Sequence, residues 1–239
     1  PAAIELQSAS EYRNRLKEAF VIADFEARKA ATWLTIQSTA ESNDVTVEAD
    51  DTLLIEINCL VEWPVGLCGE FEENFLDVPD IALIAAMKGH QKYFHTRTDS
   101  GKLSNKFITV SNIESRDASQ VISGNQRVIR ARLSDAKFFF ETDKKVSLES
   151  RRQQLDSITF HPKLGSLGEK TNRVCKLACA MASAVNADPN AMKRAADLSR
   201  CDLVSEMVLE FDELQGQIGT IYAVLDGESG EVSQAIQGL

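Results

Sequence analysis

Residues 123–145, SGNQRVIRARLSDAKFFFETDKK, place Arg127, Arg130, Arg132 and Lys137 and an unbroken Phe138, Phe139, Phe140 run within about six turns of helix. Three adjacent helical residues spread over about 200° of the circumference, so one or two of these rings have to enter a core. The stretch therefore reads as a structural joint with a basic face. Its cations either meet an anionic partner or pair with Asp135, Glu141 and Asp143 on an ordinary solvated surface.

The distribution of charge gives that choice its weight. The whole chain carries −10, yet residues 1–87 sum to −12, residues 88–152 to +7 and the remainder to −5, so only the middle third is basic. Acidic flanks disfavour indiscriminate nucleic-acid binding, while a local basic band can hold phosphates in a defined register. Lys88, Lys92, Arg127, Arg130, Arg132, Lys144 and Lys145 are the candidate nucleic-acid contacts, with Lys137 in the same band. Guanidinium groups pair bidentately with phosphate oxygens and ammonium groups act as point charges. Tyr93 and Phe94 could stack on an unpaired base.

Five cysteines in 239 residues, without short regular spacing, argue against a disulfide framework and for reduced thiols. No apolar run approaches the roughly 20 residues of a membrane span, and the first residues lack the basic and apolar regions of a signal peptide. The expectation is a cytoplasmic protein without a membrane partner. An opening Pro1 and a final QAIQGL that reads as mid-helix suggest a piece of something longer.

The pattern predicts an α+β fold, predominantly α-helical: N-terminal helices with a small antiparallel sheet, then an all-helical region. From Ser10, apolar residues at Leu16, Phe20, Ile22, Ala23, Ala27 and Ala30 predict one amphipathic helix reaching Ser42, and ADDTLLIEINCLVEW a second ending before Pro64. These acidic helices read as solvated spacers or scaffold. VGLCGEF, QKYFHTRT and KFITVSNI read as strands, the last two joined by a turn at Asp99, Ser100 and Gly101. A helix over residues 79–88 precedes the second strand, with Lys88, Gly89 and His90 as its exit. After Ile113 no strand is expected, and helix breaks are expected near Gly124, residues 142–143, 161–168, 186–189 and 216–219. The boundaries fall so as to give a helical and small-sheet region, 1–113, a helical connector with a basic face, 114–165, and a second helical region, 166–239.

Three groups of residues carry possible chemistry. Gly165-Ser166-Leu167-Gly168-Glu169-Lys170-Thr171 lacks the spacing of a phosphate-binding loop, which has four residues between its first Gly and its Gly-Lys-Ser/Thr, and reads as a helix start. His161, with Cys201 and Asp202 downstream, approximates a metal phosphohydrolase set of an isolated His and an adjacent His-Asp pair, but Cys stands where the second His is needed. No metal is expected. Cys175 and Cys179 share a helix face among apolar neighbours and read as buried thiols.

The runs LVEWPVGLCGEFEENFLDVP (60–79), MKGHQKYF (87–94), KFITVSNIES (106–115), ISGNQRVIRARLSDAKFFFETDKK (122–145) and CDLVSEMVLEFDELQGQIGTIYA (201–223) together resemble, in this order, the beta subunit of bacterial tetrameric glycyl-tRNA synthetase. The resemblance implies an aminoacyl-tRNA synthetase, a ligase of protein biosynthesis, whose alpha subunit holds the ATP, magnesium and glycine chemistry. The beta subunit contributes chiefly tRNA(Gly) binding. It further implies that this chain is the central part of that subunit, with 1–113 ending an editing-domain-like module and 166–239 entering an HD-like helical domain. In that domain His161, Cys201 and Asp202 would be a degenerate remnant of the metal site. Catalysis and cofactor binding are then expected outside this segment. An HD-type phosphohydrolase and a purely structural subunit-contact scaffold are the alternatives.

Overall fold

The computed structural model describes residues 3–238 and divides into two compact units, one ending at Ser134 and the other beginning at Asp135. That division lies inside one helix, away from the sequence boundaries at residues 113 and 165.

In the first unit the expected long N-terminal helix is two, α1 (Tyr12–Glu18) and α2 (Phe25–Glu41). Phe20 separates them in a left-handed conformation, φ 62°. Val21 N–H reaches the Leu16 carbonyl and Phe20 N–H the Lys17 carbonyl, the paired bonds that terminate a helix when one residue turns left-handed. Apolar periodicity continues through such a stop, which is why it reads as unbroken. α2 then starts on Asp24, whose carboxylate accepts from Ala27 N–H.

A two-residue strand β1 (Thr46–Val47), too short to announce itself, precedes α3 (Asp51–Leu60), capped by Asp50. Then come β2 (Val65–Glu70), α4 (Asp80–Gln91), β3 (Phe94–Arg97) and β4 (Leu103–Ser111). The sheet is antiparallel in the order β1-β3-β4-β2, with Val65 opposite Ser111 and Phe94 opposite Ile108. α4 runs through Lys88, Gly89 and His90 and exits only at Lys92, which is left-handed at φ 57°.

Ile36 and Ala40 of α2, Leu53, Leu54 and Ile57 of α3, and Phe94 and Ile108 of the sheet form one core, so the acidic helices are walls of that core and not solvated spacers. α2 can approach β2 because Gly66 has no side chain: a Cβ there would strike Thr39 Oγ1, and Gly66 N–H donates to Thr35 Oγ1 at 3.0 Å. On the other side of the sheet Phe107 stacks on Tyr93 at 4.7 Å, and the Tyr93 hydroxyl donates to Asn125 of α5 (Ala118–Asp143). Gly124 does not interrupt α5. One glycine costs about 1 kcal/mol against Ala, too little to break a helix of 26 residues.

The second unit contains the end of α5, α6 (Leu148–Arg151), a hairpin of β5 (Thr159–His161) and β6 (Gly165–Ser166), and then α7 (Leu167–Met181), α8 (Pro189–Leu198), α9 (Glu206–Glu210), α10 (Gln217–Leu225) and α11 (Gly230–Gln237). The hairpin corrects the all-helical expectation. Its β5 residues are all exposed, so no alternation of burial marks them in the sequence. The residues that superficially suggest a phosphate loop instead build a capping box, Ser166 accepting from Glu169 N–H while the Glu169 carboxylate accepts from Ser166 N–H. Gly165, at φ 84°, lies so close to that carboxylate that a Cβ would collide with it.

The unit closes around Asp143, 2% exposed. Oδ1 accepts from Arg151 Nη2 at 2.9 Å and Glu206 N at 3.0 Å, and Oδ2 from Met207 N at 3.0 Å and the Tyr222 hydroxyl at 2.9 Å. One carboxylate thus ties the end of α5 to α6, α9 and α10. Phe140, one turn earlier, is buried and stacked on Tyr222 at 6.0 Å, while Phe138 is 66% exposed, the split that three adjacent helical rings require.

Two outcomes follow for stability. Replacing Asp143 by Ala strands the buried Arg151 guanidinium and should cost about 3–5 kcal/mol in denaturant unfolding, whereas Asp143→Leu with Arg151→Met removes the stranded charge but leaves the Glu206 and Met207 amides and the Tyr222 hydroxyl without their acceptor, and should recover only part of that loss. In the first unit, His95 Nε2 is buried without a hydrogen bond, and burial lowers its pKa against the opposing pull of Glu48, 3.8 Å away, with Arg97, Asp50 and Asp80 also facing it. The unfolded chain therefore binds the proton first, and stability should decline as pH falls below the ordinary value of 6.5, by at most about 1.4 kcal/mol per pH unit. Thermal melts between pH 7.5 and 5 check this, and His95→Gln should flatten the slope.

Candidate functional site

The seven basic candidates separate into two groups by their partners. Lys88 Nζ lies 2.5 Å from Asp50, Lys92 Nζ 2.9 Å from Glu56, Arg130 Nε 2.6 Å from Glu72 and Lys144 Nζ 3.1 Å from Glu141. Asp50 serves two roles, as the N-cap of α3 and as the counter-ion of Lys88; these hydrogen bonds and that charge outweigh its burial and lower its pKa. Arg127, Arg132 and Lys145 have no carboxylate within ion-pair distance among the described residues, and Arg127 and Lys145 are exposed while Arg132 is half-buried. At 100° per residue, Arg127 and Arg132 stand about 140° apart around α5 and so flank the helix instead of forming one stripe. Further on in the same basic third, Arg151 is consumed by Asp143, and Arg152 by Asp197 at 2.9 Å and by Asn172.

The aromatic half of the phosphate-and-base expectation does not survive. Tyr93 and Phe94 are 4% and 2% exposed. Phe94 packs into the α2–α3 core, and Tyr93 is held by Phe107 and Asn125, so neither presents a ring face to a base. A Tyr-Phe pair entering a strand is ambiguous in sequence, because core packing and base stacking ask for the same residues.

The metal-site remnant is also disassembled. His161 is exposed on the hairpin, with Nδ1 accepting from Lys163 N–H. Cys201 is fully buried, its thiol donating to the Asp197 carbonyl, and burial pushes its pKa up to about 12, which keeps it protonated and a poor metal ligand or nucleophile. Asp202 is 1% exposed and accepts from Gly216 N–H at 2.6 Å. Burial raises its pKa, and a Cβ on Gly219 would stand 2.7 Å from its Oδ2, so this carboxylate is packed against a helix start. The described residues contain no group of three His, Cys, Asp or Glu able to hold a metal ion. Cys175 is buried, and burial raises its thiol pKa; Cys179 is half-buried.

A cavity of about 650 Å³ in the first unit is lined by Phe20, Trp63, Ile113, Glu62, Glu114 and Arg116 among others. Phe20 and Trp63 meet edge to face at 5.2 Å, and Asn112 Oδ1 secures the neighbouring chain by accepting from Glu62 and Trp63 N–H. It gathers none of the residues singled out in the sequence. Its only signal there is Trp63 just before Pro64, which does not distinguish an exposed ring from a buried one. Arg127, Arg132 and Lys145 are thus the sequence candidates whose charge is left without an ion-pair partner among the described residues.

The sequence profile of the family described as glycyl-tRNA synthetase beta subunit matches residues 1–238. A glycine–tRNA ligase beta subunit from Chromohalobacter salexigens is 50% identical over 236 residues, covering 99% of this chain and 34% of the relative. Those of Hahella chejuensis and Pseudoalteromonas translucida are 48% and 49% identical, each over 98% of this chain and 34% of the relative. The chain thus spans about a third of the length of the relatives it matches. It belongs to the glycyl-tRNA synthetase beta subunit family.

Proposed function

We propose that this chain is the part of a glycyl-tRNA synthetase beta subunit that helps hold tRNA(Gly) through phosphate contacts made by α5 and the residues just after it. The observation that carries the reading is the survival of Arg127, Arg132 and Lys145 as cations without carboxylate partners, in a family member whose overall charge is −10. A negative protein repels a polyanion at long range, so binding has to rely on locally uncompensated charge. The four paired candidates are already neutralised and contribute less.

In this reading the reaction, ATP-dependent attachment of glycine to the tRNA 3′ end, is completed elsewhere in an assembled cytoplasmic alpha–beta tetramer. The alpha subunit supplies the ATP and magnesium site. This chain's residues position the substrate, through contacts to phosphate that set register without reading sequence.

The test is made on the complete tetramer. Arg127→Glu and Arg132→Glu should each weaken tRNA(Gly) binding at least several-fold and lower the slope of log affinity against log salt by about 0.9 per lost duplex phosphate contact. Lys88→Gln and Lys92→Gln should change affinity less than either reversal. Filter-binding titrations between 50 and 300 mM salt measure both quantities; unchanged affinity and slope in the two arginine variants would remove the phosphate-contact role.

A further inference from the structure

The second unit carries a surface used neither by its core nor by the tRNA reading. In the hairpin Phe160 and Leu164 are 39% and 52% exposed, and on α7 Leu177 and Met181, one turn apart, are 61% and 50% exposed, followed by Val185 at 57%. Two contacts fasten the hairpin beside the helix: Lys170 Nζ sits 4.1 Å from the centroid of the Phe160 ring, and Arg173 Nη2 donates to the Leu164 carbonyl at 3.0 Å. Lys170, Arg173 and Leu177 lie within about 60° of one another around α7, while the buried Thr171 and Cys175 belong to its other side. Apolar residues and cations therefore share one outward face.

The charges around this face point to the sign of what covers it. Residues 157–181 contain Lys163, Lys170, Arg173 and Lys176 against a single acid, Glu169, whose carboxylate is committed to the capping box. None of the four cations has an ion-pair partner among the described residues. The following residues, 182–239, sum to −7, so along the chain the positive charge of this unit is concentrated in the hairpin and α7. A phosphate backbone would answer the cations but leave Leu164, Leu177, Met181 and Val185 in water. An apolar surface rimmed by charge is the pattern of protein docking, where the apolar row supplies burial and the rim sets partner and orientation.

We infer that the hairpin and the outward face of α7 dock an acidic amphipathic helix of a partner protein. Its apolar side chains, at helical spacing, cover Leu164, Leu177 and Met181, and its flanking Asp and Glu residues meet Lys170, Arg173 and Lys176. This site is separate from the tRNA contacts of α5, and either can fail without the other.

The test titrates the chain into a fluorescein-labelled 18-residue helical peptide with leucines at i, i+4, i+7 and i+11 flanked by glutamates, beside a permuted peptide of the same composition, and follows anisotropy. Saturable one-to-one binding is expected, with the permuted peptide at least tenfold weaker. Leu177→Ser with Met181→Ser, both exposed, should leave the melting temperature unchanged and weaken the acidic peptide at least tenfold. Arg173→Glu with Lys176→Glu should reject the acidic peptide and accept one in which lysines replace the glutamates. Absence of saturable binding overturns the inference, and so does equal binding of the permuted peptide, which would be charge attraction alone. A 20-nucleotide oligouridylate that displaces the peptide and is itself lost in Arg173→Glu with Lys176→Glu would assign the face to nucleic acid and overturn it as well.

Discussion

The second unit depends on one buried carboxylate. Asp143 accepts four hydrogen bonds from groups far apart in sequence: a guanidinium, a phenol and two backbone amides at the start of α9. A charge removed from water is tolerated only when its lone pairs are answered, and here they are answered by helices that could otherwise pack in several registers. Asp226 performs a smaller version of the same task, its carboxylate accepting from Leu148 N–H at the start of α6. Helix ends leave amides without partners, and at the starts of α6 and α9 acids from distant parts of the chain accept from them.

In the first unit acids act on the surface, as counter-ions to the basic third. Asp50 and Glu56 belong to a segment with a large negative excess and lie against Lys88 and Lys92, the leading edge of the basic third. Much of the apparent polarity between the thirds is thus cancelled within the fold. Among the described residues, the cations without ion-pair partners include Arg127 and Arg132 in the first unit, and Lys145 and those of the hairpin and α7 in the second. The cations of the hairpin and α7 are interleaved with exposed aliphatic residues.

Most of the architecture was legible because it is written in local signals. Period-two segments around Gly101 became β3 and β4, Pro79 introduced α4, and the run from Gly165 to Thr171 marked the start of α7. The misses share a cause, since each was decided by geometry that spacing does not encode. Phe20 stops a helix without glycine, Gly124 sits in one without stopping it, and the β5–β6 hairpin has no buried face to impose alternation. The basic residues were identifiable as a group, but which of them are free depended on long-range pairs such as Arg130 with Glu72. Cys201 and Asp202 are adjacent in sequence in the manner of a metal pair, yet both side chains are spent on packing and helix starts.

On the proposed reading, counter-ion pairing within the fold, and not the number of basic residues, selects the cations left for tRNA. Arginine modification by phenylglyoxal in the complete tetramer, read residue by residue by mass spectrometry with and without tRNA(Gly), measures this most directly. tRNA should protect Arg127 and Arg132, while Arg130, held by Glu72, reacts at the same rate in both states. Protection of Arg130 with no change at Arg127 and Arg132 would contradict it.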